Sequence, residues 1–450
     1  MPTPTPKRTP AAPAPGSTSN SLMRGVAPFA PLALALLASH SGLTNSTPAP
    51  TPTPTTTAAT SESKIKRNAS SAPAPLLETG KPVDWWFVFK FNANTFPGCG
   101  SAKPACPFGG TVQNYGHFGQ QFAMASSADP ALRQGTGCVG DTTADPVGAT
   151  FSQVYNGQSH YVVWNDQFYG DPMPSKSSPA GHSKGMLAWD DSGAGFVLQV
   201  STPSWPASAS AANPRTSDGN SLGCVKDNDV LVSQHFFALK LNKADVIAVL
   251  NGLQNASIVT DPTKPEIVNN GGPPEIQAIV SSLGTNSRSR TATTAALSTG
   301  VTLISKPSAL QVPPWQMVSS LLNSEPLRVA TWWSRPEIPS TTAASSIGCW
   351  DSSLTHKPGA IDIATSGTWS GKTIGLEGMA EPDGNHAKIG VSSTATHSLV
   401  IFGDMNQQGS LNGPKCDSSQ NGRGGLFYVL DSTKLADDVR ALLKGDSAAN

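Results

Sequence analysis

Charge is scarce in this chain of 450 residues. Only 13% of its side chains are charged, and 30 acidic groups balance 30 basic ones. A zero net charge excludes a chain-wide basic field, so any nucleic-acid partner must be held by local charge. Metal-ligand spacings are missing too. No Cys-x-x-Cys pair occurs, and the eight histidines form no His-Glu-x-x-His or Cys/His set. With so little acidic clustering, a two-metal mechanism is disfavoured and no cofactor is expected. The apolar run from Leu32 to Ala38 is far shorter than the roughly 20 residues of a membrane span.

Glycine and proline are plentiful, at 42 and 39 residues, which predicts many turns and few long exposed helices. Residues 1–77 are a Pro/Thr/Ala leader that cannot build a packed core. Inside it, Met23-Arg24 and the apolar run that follows resemble a secretory signal starting at Met23. Export to the periplasm or cell exterior is the expectation. All six cysteines lie beyond the leader, an even count that permits three disulfides. Cys99 and Cys106 bracket a short loop and are the expected local pair. Asn45, Asn68 and Asn255 sit in glycosylation triplets, usable only in a host that glycosylates.

The folded part divides into halves at 78–265 and 311–450, joined by a polar connecting or inserted region at 266–310. In the first half, WWFVFKF, SHYVVWND, GMLAWD, GFVLQVST and VLVSQHFFALKL read as strands, and KADVIAVLNGL as a helix ending at Gly252. The second half repeats this grammar through TWWSRPEI, GNHAKIGVSS and SLVIFGDMN. It closes on the amphipathic helix DSTKLADDVRALLKG.

Two short words recur in matching settings: His182-Ser183-Lys184 and His386-Ala387-Lys388. Residues two apart share one face of a strand, so each word would hold an imidazole beside an ammonium. Brought together, they make a two-histidine, two-lysine site suited to an anionic phosphodiester. Such a site must neutralise charge, supply a nucleophile and protonate the departing oxygen. Lys184 and Lys388 suit the first need. One histidine can attack phosphorus while the other protonates, starting from opposite protonation states and titrating as a coupled pair. Taken singly, each word is as easily a surface histidine beside a solvated lysine.

Around them stand supporting candidates. Asp404 and Asn406 end the SLVIFG strand, and Arg423 lies in a glycine turn from which it would reach phosphate. Asp190 and Glu377 are candidate orienting carboxylates, or simple turn caps. Trp85, Trp86, Trp332 and Trp333 are candidates for stacking on bases, although adjacent strand residues face opposite ways and at least one of each pair should be core. His160 and His235, in apolar strand contexts, read as structural.

Together the segments KPVDWWFVFK, YVVWND, GHSKGMLAWD, GFVLQVSTPSWP, GNHAKIGVSS, FGDMNQQGS and GRGG resemble the deoxyribonuclease II family over roughly residues 78–445. That family resembles phospholipase D enzymes in architecture. The resemblance implies an α/β (α+β) pseudo-dimer of two sheet-and-helix halves with a composite site between them. It also implies metal-independent endonuclease activity on double-stranded DNA in an acidic or extracellular setting, leaving 3′-phosphate and 5′-hydroxyl ends. On this chain the family's pairs fall on His182 with Lys184 and His386 with Lys388, with His182 as nucleophile and His386 as general acid. Asn406 keeps the downstream Gly-x-x-Asn pattern. Departures exist: Asp190 is offset from the aspartate typical of phospholipase D proteins, and Ser392-Ser393-Thr394 stands at that place in the second half. Residues alone leave open which histidine attacks, and whether the chain is a monomer or homodimer. Two other readings use the same residues: a phosphodiesterase acting on lipid, or an inactive secreted DNA-binding protein.

Overall fold

Two large antiparallel sheets follow from the β-branched and aromatic runs of the sequence. The computed structural model describes residues 72–99, 106–113, 120–215, 222–225 and 227–449. Met23 and its apolar run, Asn45, Asn68 and His117 lie outside these. The first sheet has eight strands. In spatial order they are β3 (Arg133–Gln134), β2 (Phe122–Ser126), β1 (Trp85–Lys90), β7 (Gln234–Leu241), β6 (Gly195–Val200), β5 (Lys184–Trp189), β4 (His160–Asn165) and β8 (Val268–Asn269). The second runs β9 (Thr293–Ala296), β10 (Thr302–Lys306), β17 (Gly425–Asp431), β16 (Leu399–Gly403), β15 (Ile389–Ser392), β11 (Leu327–Ala330) and β12 (Ile361–Ile363). β13 (Ser366–Trp369) and β14 (Lys372–Gly375) form a separate ribbon.

The centres of the two sheets correspond strand for strand. β1-β7-β6-β5-β4 matches β10-β17-β16-β15-β11, with every neighbouring pair antiparallel. The edges differ, since β8 adds antiparallel to β4 whereas β12 adds parallel to β11. A helix follows the second strand of each set: α2 (Lys243–Asn255) after β7 and α5 (Thr433–Leu442) after β17. α1 (Pro146–Tyr155), α3 (Pro274–Val280) and α4 (Pro314–Leu321) complete an α/β (α+β) protein.

Period-two alternation sorts the side chains into layers. In β17, Leu426, Tyr428 and Leu430 join the core between the sheets, while Phe427 and Val429 face a second core built with Trp315 and Val318 of α4. Phe402 of the second sheet stacks on Phe237 of the first at 4.2 Å and lies 4.8 Å from Phe87. The sheets therefore share one core, and the described residues fall in one compact unit.

Several details depart from expectation. α2 continues three residues past Gly252, because that glycine is a packing contact rather than a stop: a Cβ there would lie 3.2 Å from Leu303. Structure starts ahead of residue 78, where the Ala74 amide and carbonyl bond to Gln153 of α1. TWWSRPEI forms no strand and makes only an isolated bridge from Glu337 to Gln408. The 266–310 stretch supplies β8, α3, β9 and β10. The expected Cys99–Cys106 pairing is wrong. Cys99 bonds Cys138, Cys106 bonds Cys224, and Cys349 bonds Cys416. Folding brings distant loops together, so proximity in sequence does not select the partner. The Asn255 side chain turns inward to Ser305 and Thr291. Among the described residues, no helix is long and apolar enough to cross a membrane.

Candidate active site

Both His-x-Lys words lie at the entrance of a strand. Lys184 opens β5, and Lys388 stands one residue ahead of β15. Each histidine is anchored by its backbone to the opposite sheet. His182 N–H donates to the Gly424 carbonyl just before β17 at 2.7 Å, and His386 N–H donates to the Ser233 carbonyl just before β7 at 2.7 Å. All four side chains are buried.

Side-chain surroundings distinguish the two words. His182 Nδ1 lies 2.8 Å from the Asp404 carbonyl oxygen, an acceptor only. Nδ1 therefore carries the proton, and Nε2 is left with a free lone pair. Lys184 donates to Asp166 Oδ1 at 2.6 Å, and Arg423 contacts Asp166 Oδ2 at 3.0 Å. His386 Nδ1 lies 3.8 Å from Asp229 Oδ2, outside hydrogen-bond range, and its ring stands edge-on to Trp332 at 4.9 Å. Lys388 Nζ donates to the His386 carbonyl at 2.6 Å, and its amide donates to His235 Nδ1 at 3.1 Å.

A family profile described as Deoxyribonuclease II matches residues 75–445. The chain belongs to the deoxyribonuclease II family. Over 367 residues it is 26% identical to Cell-death-related nuclease 7 of Caenorhabditis elegans, covering 79% of this chain and 82% of that protein. Matches to Deoxyribonuclease-2-alpha are more local. They reach 33% identity over 138 residues for Bos taurus and 32% over 157 for Rattus norvegicus. Those alignments cover 30% and 33% of this chain but span only 33% and 40% of the two relatives.

In this deoxyribonuclease II family member the buried charges are coupled. Burial, then Lys184, drives His182 well below the ordinary imidazole range; burial, then Lys388 and Lys184, does the same to His386. Lys388 falls well below the usual lysine value through burial and the nearby Lys184. Burial pushes the Asp166 carboxyl up, but the surrounding cations, Lys184 foremost, hold it below the usual carboxylate range. Asp229 and Asp404 are each raised by burial to about 6.

The other candidates scatter. Asp404 accepts from the Leu426 amide and Gln199, and presents its carbonyl to His182. Asn406 donates its amide to Gln408. Arg423 does not extend from a flexible turn: its guanidinium is committed to Asp166 and to the carbonyls of Ala180, Gly181 and Lys176, which pins the segment leading into His182. Asp190 lies beyond the far end of β5, where its carboxylate caps the Ser192 and Ala194 amides. Glu377 is exposed. Trp85 and Trp86 are core residues of β1, with Trp86 donating to Thr150, so neither is open to a base. Trp333 packs on the second core and donates to the Ile338 carbonyl. Of these four tryptophans, it is Trp332, half-buried, that borders His386.

Three neighbours escaped the sequence reading. Asp166 looked like the turn after YVVWN, yet it directly follows Asn165, the register partner of Lys184. Asp229 lies in a loop remote in sequence from His386. His235 reads as structural and is buried, but its Nδ1 also holds the Lys388 amide. Its pKa falls to about 3 through burial and Lys388.

Proposed function

We propose that this protein is a metal-independent acid endonuclease. It hydrolyses double-stranded DNA through a phosphohistidine to give 3′-phosphate and 5′-hydroxyl ends. The observation that carries this reading is that each histidine hangs by its backbone on the opposite half, near enough for the lysine of that half to bear on its charge. Such an arrangement supports the reading of the fold as a phospholipase D-like pseudo-dimer.

His182 is the nucleophile, because its Nδ1–H donates to the Asp404 carbonyl and fixes Nε2 as the bare nitrogen. Nε2 attacks phosphorus, the P–O5′ bond breaks, and protonated His386 gives its proton to O5′. Water then attacks phosphorus while His386 takes its proton, and the phosphorus–nitrogen bond breaks, releasing the 3′-phosphate and restoring His182 and protonated His386. Lys184 and Lys388 offset the charge on the phosphoryl oxygens. Burial and the lysines favour neutral imidazoles on both sides. An anionic phosphodiester reverses that bias, and because the His182 ring is already fixed by its bond to the Asp404 carbonyl, His386, with the Asp229 carboxyl 3.8 Å away, is the one to take the proton. That step needs acid. The three disulfides fit an oxidising, secreted setting.

The test is cleavage of duplex DNA in EDTA at about pH 5, on the acid side where the protonated histidine persists. His182→Ala and His386→Ala should each abolish cleavage and leave DNA binding. Retained cleavage in both variants contradicts the mechanism, and turnover of phosphatidylcholine in place of DNA selects the lipid reading.

A further inference from the structure

Among the described residues, two lysines outside the site are fully buried, and their cages are built alike. Lys90 ends β1, and its Nζ donates to the carbonyls of Phe91 at 3.2 Å, Val230 at 2.8 Å and Val232 at 2.6 Å. Lys306 ends β10, and its Nζ donates to the carbonyls of Pro307 at 3.4 Å, Asn421 at 2.8 Å and Arg423 at 2.8 Å. The offsets are identical. Each lysine takes the carbonyl of the residue after it, together with those two and four residues ahead of its cross-strand partner, Gln234 or Gly425.

The carbonyl that follows each clamped pair reaches the site. Next after Val232 is Ser233, which accepts His386 N–H; next after Arg423 is Gly424, which accepts His182 N–H. The Val230–Val232 segment also follows directly on Asp229, and the Asn421–Arg423 segment contains the partner of Asp166. Burying two ammonium groups is costly unless each is fully satisfied. Burial lowers both to about 7, with Asp229 drawing Lys90 back up. Below that pH each Nζ has three N–H donors for its three carbonyls.

We propose that Lys90 and Lys306 are positioning residues for the reaction, each clamping the backbone segment that holds the histidine of the opposite half. The wiring is crossed: Lys90 of the first half serves His386, and Lys306 of the second serves His182. The inference rests on the catalytic reading of the two histidines, but its first test does not.

That test is NMR of the whole protein labelled with ¹⁵N-histidine. Lys90→Met should displace or broaden the His386 imidazole signals and leave those of His182; Lys306→Met should do the reverse. Signals unmoved in both variants, or moved alike in both, overturn the proposal. Activity supplies the second readout, using duplex DNA and thymidine 3′-(p-nitrophenyl phosphate), whose leaving group needs no proton. Lys90→Met should lose about tenfold or more on DNA, within the 10²- to 10⁴-fold range of general acid catalysis, and far less on the nitrophenyl ester. Lys306→Met should lose on both substrates. Equal losses by the two variants on the two substrates contradict the crossed wiring. If a methionine variant fails to fold, glutamine, with two N–H donors, replaces it. Unfolding of the glutamine variants as well would make the lysines determinants of the fold and overturn the positioning role. Should His182→Ala itself cleave DNA, the catalytic reading fails while the NMR result stands.

Discussion

The two halves treat their histidines alike through the backbone and differently through side chains. Each histidine donates its backbone N–H to a carbonyl at the entrance of the other sheet. Around His182, however, stand an ion-pair cluster of Lys184, Asp166 and Arg423 and a carbonyl that fixes the tautomer. Around His386 stand an indole edge and a carboxyl raised to about 6. Shared topology sets where the histidines lie, and the unshared neighbours set what each can do. A nucleophile needs a fixed, unprotonated nitrogen; a general acid needs a proton close at hand.

The largest effect should come from removing either histidine. His182→Ala is expected to lower kcat on DNA by about 10³-fold or more, the scale of losing a nucleophile or acid–base group. His386→Ala should match it on DNA and recover much of its rate on a nitrophenyl ester. Equal losses on both substrates in steady-state assays would erase the difference between the halves.

Next comes Asp166→Asn, which leaves Lys184 and Arg423 without their buried counter-charge. Breaking a buried pair on one side costs about 3 kcal/mol or more, readable as a lower urea midpoint. No such sensitivity is expected at Trp332.

Asp229→Asn sharpens the contrast through pH. In the proposed mechanism, Asp229, ionised above about pH 6, would stabilise the His386 imidazolium 3.8 Å away, so its loss should move the alkaline limb of the kcat profile to lower pH. The linked stability has a definite sign. Folded Asp229 keeps its proton until about 6, above its ordinary value of 3.8. Its contribution to stability is thus complete below about pH 4 and lost as pH rises through about 6. Melting temperatures of the Asn variant should vary less over that window. Trp332→Leu should be milder, at about two- to tenfold in kcat, the worth of one aromatic edge contact. Asp190→Ala should leave activity unchanged, because Asp190 serves a turn at the far end of β5.

Much of this was legible in the sequence where one physical signal decides. Runs such as WWFVFKF, YVVWN and FFALKL became β1, β4 and β7 because buried central strands are apolar and branched or aromatic. The His-x-Lys words stood out because they recur in like settings. Asp166 and Asp229 were hidden because their partners come from register and from the opposite half, which no local pattern records. Lys90 was read as one more residue of a strand, although a lysine closing so apolar a run was itself a signal. The tryptophans misled because packing, not aromaticity, decides exposure: Trp85 and Trp86 lie in a strand buried on both faces, and Trp333 packs on the second core. α1 and α4 were missed because both are short and buried on most sides.

The most direct test of the division of labour is to trap the phosphoenzyme. Incubation of His386→Ala with thymidine 3′-(p-nitrophenyl phosphate), a base-stable quench and peptide mass spectrometry should find the nucleotidyl adduct on His182 and none in His182→Ala. An adduct on His386 in the otherwise unaltered protein, or on neither histidine in any variant, would contradict the account.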